Sequence, residues 1–61
     1  MKEYEITTVD DHTEYFTGEY LGQKHPEAKE ISKNWHYYKS NNGEILHFRS
    51  DKITMIKEEK V

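Results

Sequence analysis

The sequence predicts a small, mostly β fold in which five antiparallel strands form a strongly bent sheet or close into a barrel. β-branched and aromatic residues concentrate in short runs separated by turn-forming residues, which is typical of strands. The sharpest turn signal is Asn42-Gly43, because Asn-Gly supplies the positive φ angles of a tight hairpin. Gly18 and Gly22 fall within or at the end of a second run, where glycine commonly marks a bend or a bulge.

The predicted strands follow one another along a single domain that spans residues 1–61. They cover residues 3–9, 13–21, 34–39, 44–49 and 52–58. Residues 25–33 are the only helix candidate, since Pro26 suits a first helical position and Ala28 and Ile31 form a small apolar stripe. This segment is either one short helix around 26–33 or a loop.

The turns also predict which residues share a face. A two-residue turn at Asn42-Gly43 places Tyr37 opposite Phe48, and a two-residue connection at Ser50 and Asp51 places Phe48 opposite Ile53 and Leu46 opposite Met55. Trp35, Tyr37, Leu46 and Phe48 are then expected to share the core face. A three-residue turn at 10–12 adds Ile6 opposite Phe16 and Tyr4 opposite Gly18.

A long second strand bent at Gly18 and followed by a β meander resembles the way in which small SH3-like and Sm-like barrels close. The resemblance rests on strand number and glycine placement. It implies an architecture and does not by itself imply a function.

Length, charge and composition restrict the classes of protein to be considered. A chain of 61 residues without cysteine has a marginal core that cannot be reinforced by disulfides, so a well-packed β core, a homodimer or folding on a partner is expected. A net charge of −3 argues against binding that depends mainly on phosphate contacts. The lack of cysteine, of a signal-peptide core and of a long apolar run predicts a cytoplasmic location and no membrane contact.

Residue types encoded by AT-rich codons, such as Lys, Asn, Ile and Tyr, outnumber Gly, Ala, Arg and Pro. This bias suggests a low-GC bacterium or one of its phages.

The outer face of the last three predicted strands is the first candidate for a binding surface. Aromatic, imidazole and guanidinium groups there can stack on bases or grip a protein loop, and exposed isoleucines add apolar area. Alternatively, another segment covers this face as a second part of the core. The predicted partner-binding residues are His36, Tyr38, Ile45, His47, Arg49 and Ile56.

The second candidate is an acidic surface in the first third of the chain, which has only Lys2 to balance its carboxylates. Such a surface complements a basic groove on a partner, including one that normally holds DNA. It consists of Glu3, Glu5, Asp10, Asp11, Glu14 and Glu19.

No catalytic residues, cofactor or metal are expected. The chain has no nucleophile elbow, phosphate-binding glycine loop or dinucleotide signature. His36 and His47 are predicted to lie near each other across one hairpin, but zinc needs further ligands that this register does not supply.

The leading interpretation is therefore a non-enzymatic protein-binding module, of phage or mobile-element origin, that inhibits or redirects a host protein. The alternative is a small nucleic-acid-binding barrel that uses Tyr38, His36, His47 and Arg49. A third interpretation is an assembly role in which an exposed strand edge pairs with a second copy.

Overall fold

A computed structural model describes residues 1–60 and contains five β-strands in the predicted order. The strands are β1 (Lys2–Thr8), β2 (Thr13–Gly22), β3 (Trp35–Ser40), β4 (Ile45–Arg49) and β5 (Ile53–Lys60), with a 3₁₀ turn, η1 (Ser50–Lys52), between β4 and β5. These bounds lie within two residues of those predicted, so the mostly β fold class is confirmed.

All five strands belong to one antiparallel sheet with the order β4-β3-β2-β1-β5. Successive strands are neighbours except at the last step, where the chain leaves β4 at one edge and returns as β5 at the other, beside β1. No ladder joins β4 to β5 in the part of the chain that the structure describes, so the sheet is bent but not closed.

The first hairpin has a three-residue turn, as predicted, but it lies one residue earlier. The Thr8 amide donates to the His12 carbonyl at 2.9 Å, and Asp11 takes a φ of 63° at the third turn position. Tyr4 consequently faces Phe16 instead of Gly18, and Ile6 faces Glu14. Because the register moves by two residues, the predicted core face of this hairpin is preserved.

The second hairpin also has a three-residue turn, and the two-residue turn predicted at Asn42-Gly43 is wrong. The Ser40 amide donates to the Glu44 carbonyl at 2.8 Å, and Gly43 takes a φ of 87° as the third turn residue. The Asn42 side chain accepts from the Glu44 amide at 3.2 Å and so holds the turn. Tyr38 therefore faces Leu46, and Tyr37 faces His47.

A change of one residue in the turn moves every β3 side chain to the other face relative to β4. The expectation that Trp35 and Tyr37 share the core face with Leu46 and Phe48 is therefore wrong. Tyr38 takes that place in the core, and it is only 3% exposed. Trp35 and Tyr37 lie on the outer face, where both are half-buried.

β4 and β5 do not form the predicted hairpin, so neither the pairing of Phe48 with Ile53 nor that of Leu46 with Met55 occurs. Ser50 and Asp51 begin the 3₁₀ turn, and the Val9 amide donates to the Lys52 carbonyl at 2.8 Å, which directs the chain toward β1. A two-residue hairpin needs positive φ angles that Ser-Asp does not readily supply. Ile53 still packs against the core, opposite Thr8 of β1.

Gly18 is the position at which β2 changes partners. Residues up to Gly18 pair with β1, and residues from Gly18 onward pair with β3. A Cβ atom on Gly18 would lie 2.0 Å from the Lys39 carbonyl oxygen, so the two backbones approach more closely than any other residue allows. This agrees with the bend predicted there.

The core lies on the inner face around three aromatic and aliphatic side chains, Tyr4, Ile6 and Tyr38. Ile6 is fully buried, and the Tyr4 ring lies 5.0 Å from the Tyr38 ring in an edge-to-face arrangement. The partly buried residues that complete this core are Phe16, Leu46, Phe48 and Ile53.

The segment between β2 and β3 is a loop, not a helix. The Ser32 amide donates to the Gln23 carbonyl at 2.7 Å, and the Gln23 side chain donates to the Lys33 carbonyl at 3.2 Å. These contacts close the loop at its base, and of the two predicted alternatives for this segment the loop is the one observed. Within residues 1–60 there is no helix long and apolar enough to span a membrane.

Candidate binding surfaces

In the observed register, the residues of the outer surface predicted from sequence do not all lie on one face. Ile45, His47 and Arg49 do lie on the outer face of β4. Their cross-strand neighbours on β3 are Lys39, Tyr37 and Trp35, respectively.

The other three predicted residues lie elsewhere. Tyr38 is in the core and cannot contact a partner, and His36 lies on the same side of β3 as Tyr38, where its Nδ1 is 2.7 Å from the Tyr20 hydroxyl. Ile56 is 44% exposed but belongs to β5, at the opposite end of the sheet from β4. His36 and His47 consequently lie on different faces and do not form the predicted pair.

The surface that the structure does assemble on β3 and β4, here called the aromatic surface, consists of Trp35, Tyr37, His47 and Arg49. The Trp35 ring lies 5.1 Å from the His47 ring, edge to face. His25 of the loop adds a second edge-to-face contact, 5.4 Å from the Tyr37 ring. The Arg49 Nε lies 3.0 Å from the Asp51 carboxylate, which partly balances its charge.

The sequence does not predict Trp35 and Tyr37 in this surface, nor the contact of His25 with it, because all three depend on details of turns and loops. A three-residue turn ending in Gly is a known alternative for an Asn-Asn-Gly sequence. Asn41 to Gly43 is compatible with such a turn, which places Trp35 and Tyr37 on the outer face.

The predicted acidic residues also separate into groups. Glu3 and Glu5 lie on the outer face of β1. Asp10 and Asp11 lie in the β1–β2 turn, Glu14 is nearby at the start of β2, and Glu19 is the cross-strand neighbour of Lys39 on the far side of the Gly18 bend. The six residues therefore do not form one continuous patch.

Two of the carboxylates near the first turn, those of Asp10 and Glu14, are engaged within the chain. The Thr8 hydroxyl donates to the Asp10 carboxylate, and this hydrogen bond, with a second from the His12 amide, lowers the pKa of Asp10. The His12 Nε2 lies 2.6 Å from the Glu14 carboxylate, and the hydrogen bond to Glu14 raises the pKa of His12. In residues 1–60 no three histidine or acidic side chains are placed so that they could hold a metal ion.

Glu3 and Glu5 belong to a second assembled surface, here called the acidic surface, on the outer face of β5, β1 and β2. It consists of Glu3, Glu5, Tyr15 and Glu59, which line one shallow depression together with Lys57. Glu5 lies between Tyr15 on β2 and Lys57 on β5, and Glu3 lies directly opposite Glu59. Tyr15 is 71% exposed.

The sequence does not predict Tyr15 and Glu59 as parts of this surface. Glu59 is 56 positions from Glu3, and only the return of β5 to the side of β1 brings the two together. The predicted fifth strand ends at residue 58 and pairs with β4, so Glu59 has no predicted neighbour on β1. No local signal in the sequence contradicts that placement except the poor turn residues Ser50 and Asp51.

The two surfaces differ in charge. The outward positions of β3 and β4 hold Trp35, Tyr37, Lys39, Ile45, His47 and Arg49, without a carboxylate. Those of β1 and the facing part of β5 hold three carboxylates and one lysine.

Searches among protein families, curated proteins and solved structures find no match to this chain.

Proposed function

We propose that this protein is a non-enzymatic protein-binding module that uses its acidic surface to dock on a basic surface of another protein. The observation that carries the proposal is Tyr15, a large aromatic ring that stays 71% exposed and lines one depression with three carboxylates and Lys57. Tyrosine is enriched among the residues that dominate binding energy. Carboxylates around such an anchor speed association with a positively charged partner and exclude acidic ones.

The pairing of Glu3 with Glu59 supports the same proposal. Like charges directly opposite each other on neighbouring strands destabilise a sheet. Local features that lower stability are expected at functional sites. A partner that supplies a lysine or arginine between the two carboxylates converts this repulsion into attraction.

The partner proposed is a host protein with a basic groove, including one that handles DNA, and the protein inhibits or redirects it. The AT-rich composition and the small size support an origin in a phage or a mobile element of a low-GC bacterium. A small acidic module that occupies a basic groove needs no catalytic group of its own to block it.

Affinity capture from a low-GC bacterial lysate, with nuclease added, tests this proposal. The wild-type chain is compared with a Glu3→Lys, Glu59→Lys variant and with a control that carries the same charge change in the loop, Glu27→Lys, Glu30→Lys. We expect one dominant captured protein that is lost with the first variant, retained with the control and released by salt. Equal capture by all three chains would contradict the proposal.

The aromatic surface favours a second candidate function, the binding of single-stranded nucleic acid. Three aromatic rings and one arginine lie together there, and bases stack on such groups. The measurement is a fluorescence titration with a labelled oligonucleotide at several salt concentrations. This function requires that affinity falls with salt and that Arg49→Ala weakens binding; no binding by the wild-type chain at low salt excludes it.

A further inference from the structure

The free edge of β4 has unpaired backbone groups whose direction the second hairpin defines. The Ser40 amide bonds to the Glu44 carbonyl, so these two residues form a hydrogen-bonded pair. Bonded and non-bonded pairs alternate along an antiparallel ladder, which makes Tyr38 and Leu46 the next bonded pair. The amide and carbonyl groups of Ile45, His47 and Arg49 therefore point away from β3, toward the open edge.

This edge lacks the protection that the other edge of the sheet has. β5 ends in four consecutive charged residues, Lys57 to Lys60, and charged side chains discourage an edge strand from pairing with another chain. On β4 the stretch Ile45–Phe48 carries no lysine, arginine, carboxylate or proline. An open hollow lies beside it, lined by His47, Phe48 and Arg49 of β4 and, on the facing side, by residues 8–10 and Lys52.

We propose that the β4 edge pairs antiparallel with β4 of a second copy of this chain, which joins the two five-stranded sheets into one. Only one register pairs the outward groups of all three edge residues. It places His47 opposite His47 of the second copy, and Ile45 opposite Arg49 of the second copy on either side. Such an interface is two-fold symmetric, as most homodimer interfaces are.

The inner face supports a second copy as the occupant. In this register Leu46 lies opposite Phe48 of the second copy, and Phe48 opposite Leu46. Both side chains pack against the core but remain only partly buried in the isolated chain. Since the core has just three buried hydrophobic residues in the described part of the chain, the added apolar contact would strengthen a fold that has no disulfide to rely on.

Sedimentation equilibrium on the wild type, His47→Pro and His47→Thr between about 10 μM and about 1 mM tests the proposal. Proline at 47 removes an amide that the isolated sheet does not use, so the monomer tolerates it as edge strands do. Both substitutions remove the contact with Trp35, and only proline removes the donor. We expect the wild type and His47→Thr to dimerise and His47→Pro to dimerise at least tenfold more weakly.

Amide hydrogen exchange of the wild type provides a measurement that does not depend on the folding of a variant. We expect the exchange of the His47 amide to slow as protein concentration rises, while that of the exposed loop residue Glu30 does not change. A wild type that stays monomeric at about 1 mM, a His47→Pro variant that dimerises as tightly as the wild type, or a His47 amide that exchanges at a constant rate would each overturn the proposal. The first of these results leaves the function proposed for the acidic surface intact.

Discussion

Gly18 allows β2 to belong to both halves of the bent sheet. Its missing side chain lets the Lys39 carbonyl approach to within 2.0 Å of where a Cβ would lie, and both strands are held there by ladder hydrogen bonds. Because the contacting atom belongs to the backbone, neither neighbour can rotate away. The bend and the fold around it therefore depend on glycine at this residue.

Gly18→Ala is expected to lower the free energy of unfolding by about 3 kcal/mol or more, the upper part of the range for overpacked sites. Gly22→Ala is the comparison, since a Cβ there meets nothing within 4 Å and only the positive φ of 90° opposes it. That cost is about 1 to 2 kcal/mol. Denaturant unfolding measures both; similar losses for the two variants would contradict the close approach at Gly18.

Tyr38 lies in the core and not on the predicted outer face, and the pKa of its hydroxyl reflects this burial. Burial raises the pKa of Tyr38 to about 12, with smaller contributions from Tyr20, Tyr4 and Glu58. An unfolded tyrosine has a pKa near 10. Between these values the folded chain binds more protons than the unfolded one, so stability falls as pH rises from about 10 to about 12.

Tyr38→Phe is therefore expected to make the alkaline loss of stability shallower in that pH window, because phenylalanine has no proton to lose. Tyr15→Phe is the matched control, since Tyr15 is largely exposed. Unfolding curves at several pH values compare the three chains. Parallel alkaline losses in wild type and Tyr38→Phe would show that the Tyr38 hydroxyl ionises as freely in the folded chain as in the unfolded one.

The two hairpins show which features of strand pairing the sequence can predict. The strands and their order along the chain follow from β-branched and aromatic runs, and the first hairpin keeps its core face because the predicted and observed turns both have three residues. The second hairpin does not, because two residues and three residues are both compatible with Asn41 to Gly43. The three-residue turn is the one that buries Tyr38 with Tyr4 and Ile6. These core residues are distant from the turn in sequence, so local signals do not predict their contact.

The place of β5 was less predictable still. Pairing of β5 with β1 joins residues more than 40 positions apart, and it places Glu59 beside Glu3. Local turn residues carry little information about such a contact. The acidic surface is thus half predictable: its β1 residues could be named from the sequence, and its neighbours on β5 could not.

Hydrogen exchange is expected to follow this arrangement of strands. β1 lies between β2 and β5 and contains the fully buried Ile6, so its amides should exchange only through global unfolding. The outward amides of Ile45 and His47 on the β4 edge should exchange fastest among the strands in dilute solution. Equal protection of β1 and the β4 edge at low concentration would contradict the observed strand order.

For the whole molecule, the division of charge has consequences for both stability and binding. One outer surface is acidic around Tyr15, the other is aromatic with an arginine, and the core between them is small. In the proposed function, affinity for a basic partner comes from two carboxylates, Glu3 and Glu59, that lie opposite each other in the free protein. Removing the repulsion between Glu3 and Glu59 is therefore expected to raise the stability of the free chain and to lower its affinity for the partner.

Glu59→Lys shows whether stability and binding change in opposite directions, when denaturant unfolding is measured together with capture of the partner from lysate. Lysine opposite Glu3 replaces repulsion with attraction, so we expect the free energy of unfolding to rise by about 0.2 to 1 kcal/mol while the captured protein is lost. Glu58→Lys is the control, since Glu58 lies 3.3 Å from the Lys2 ammonium outside the acidic surface, and it should gain no stability and keep the captured protein. A Glu59→Lys chain that is less stable than the wild type, or that captures the same protein equally well, would contradict the role proposed for Glu3 and Glu59.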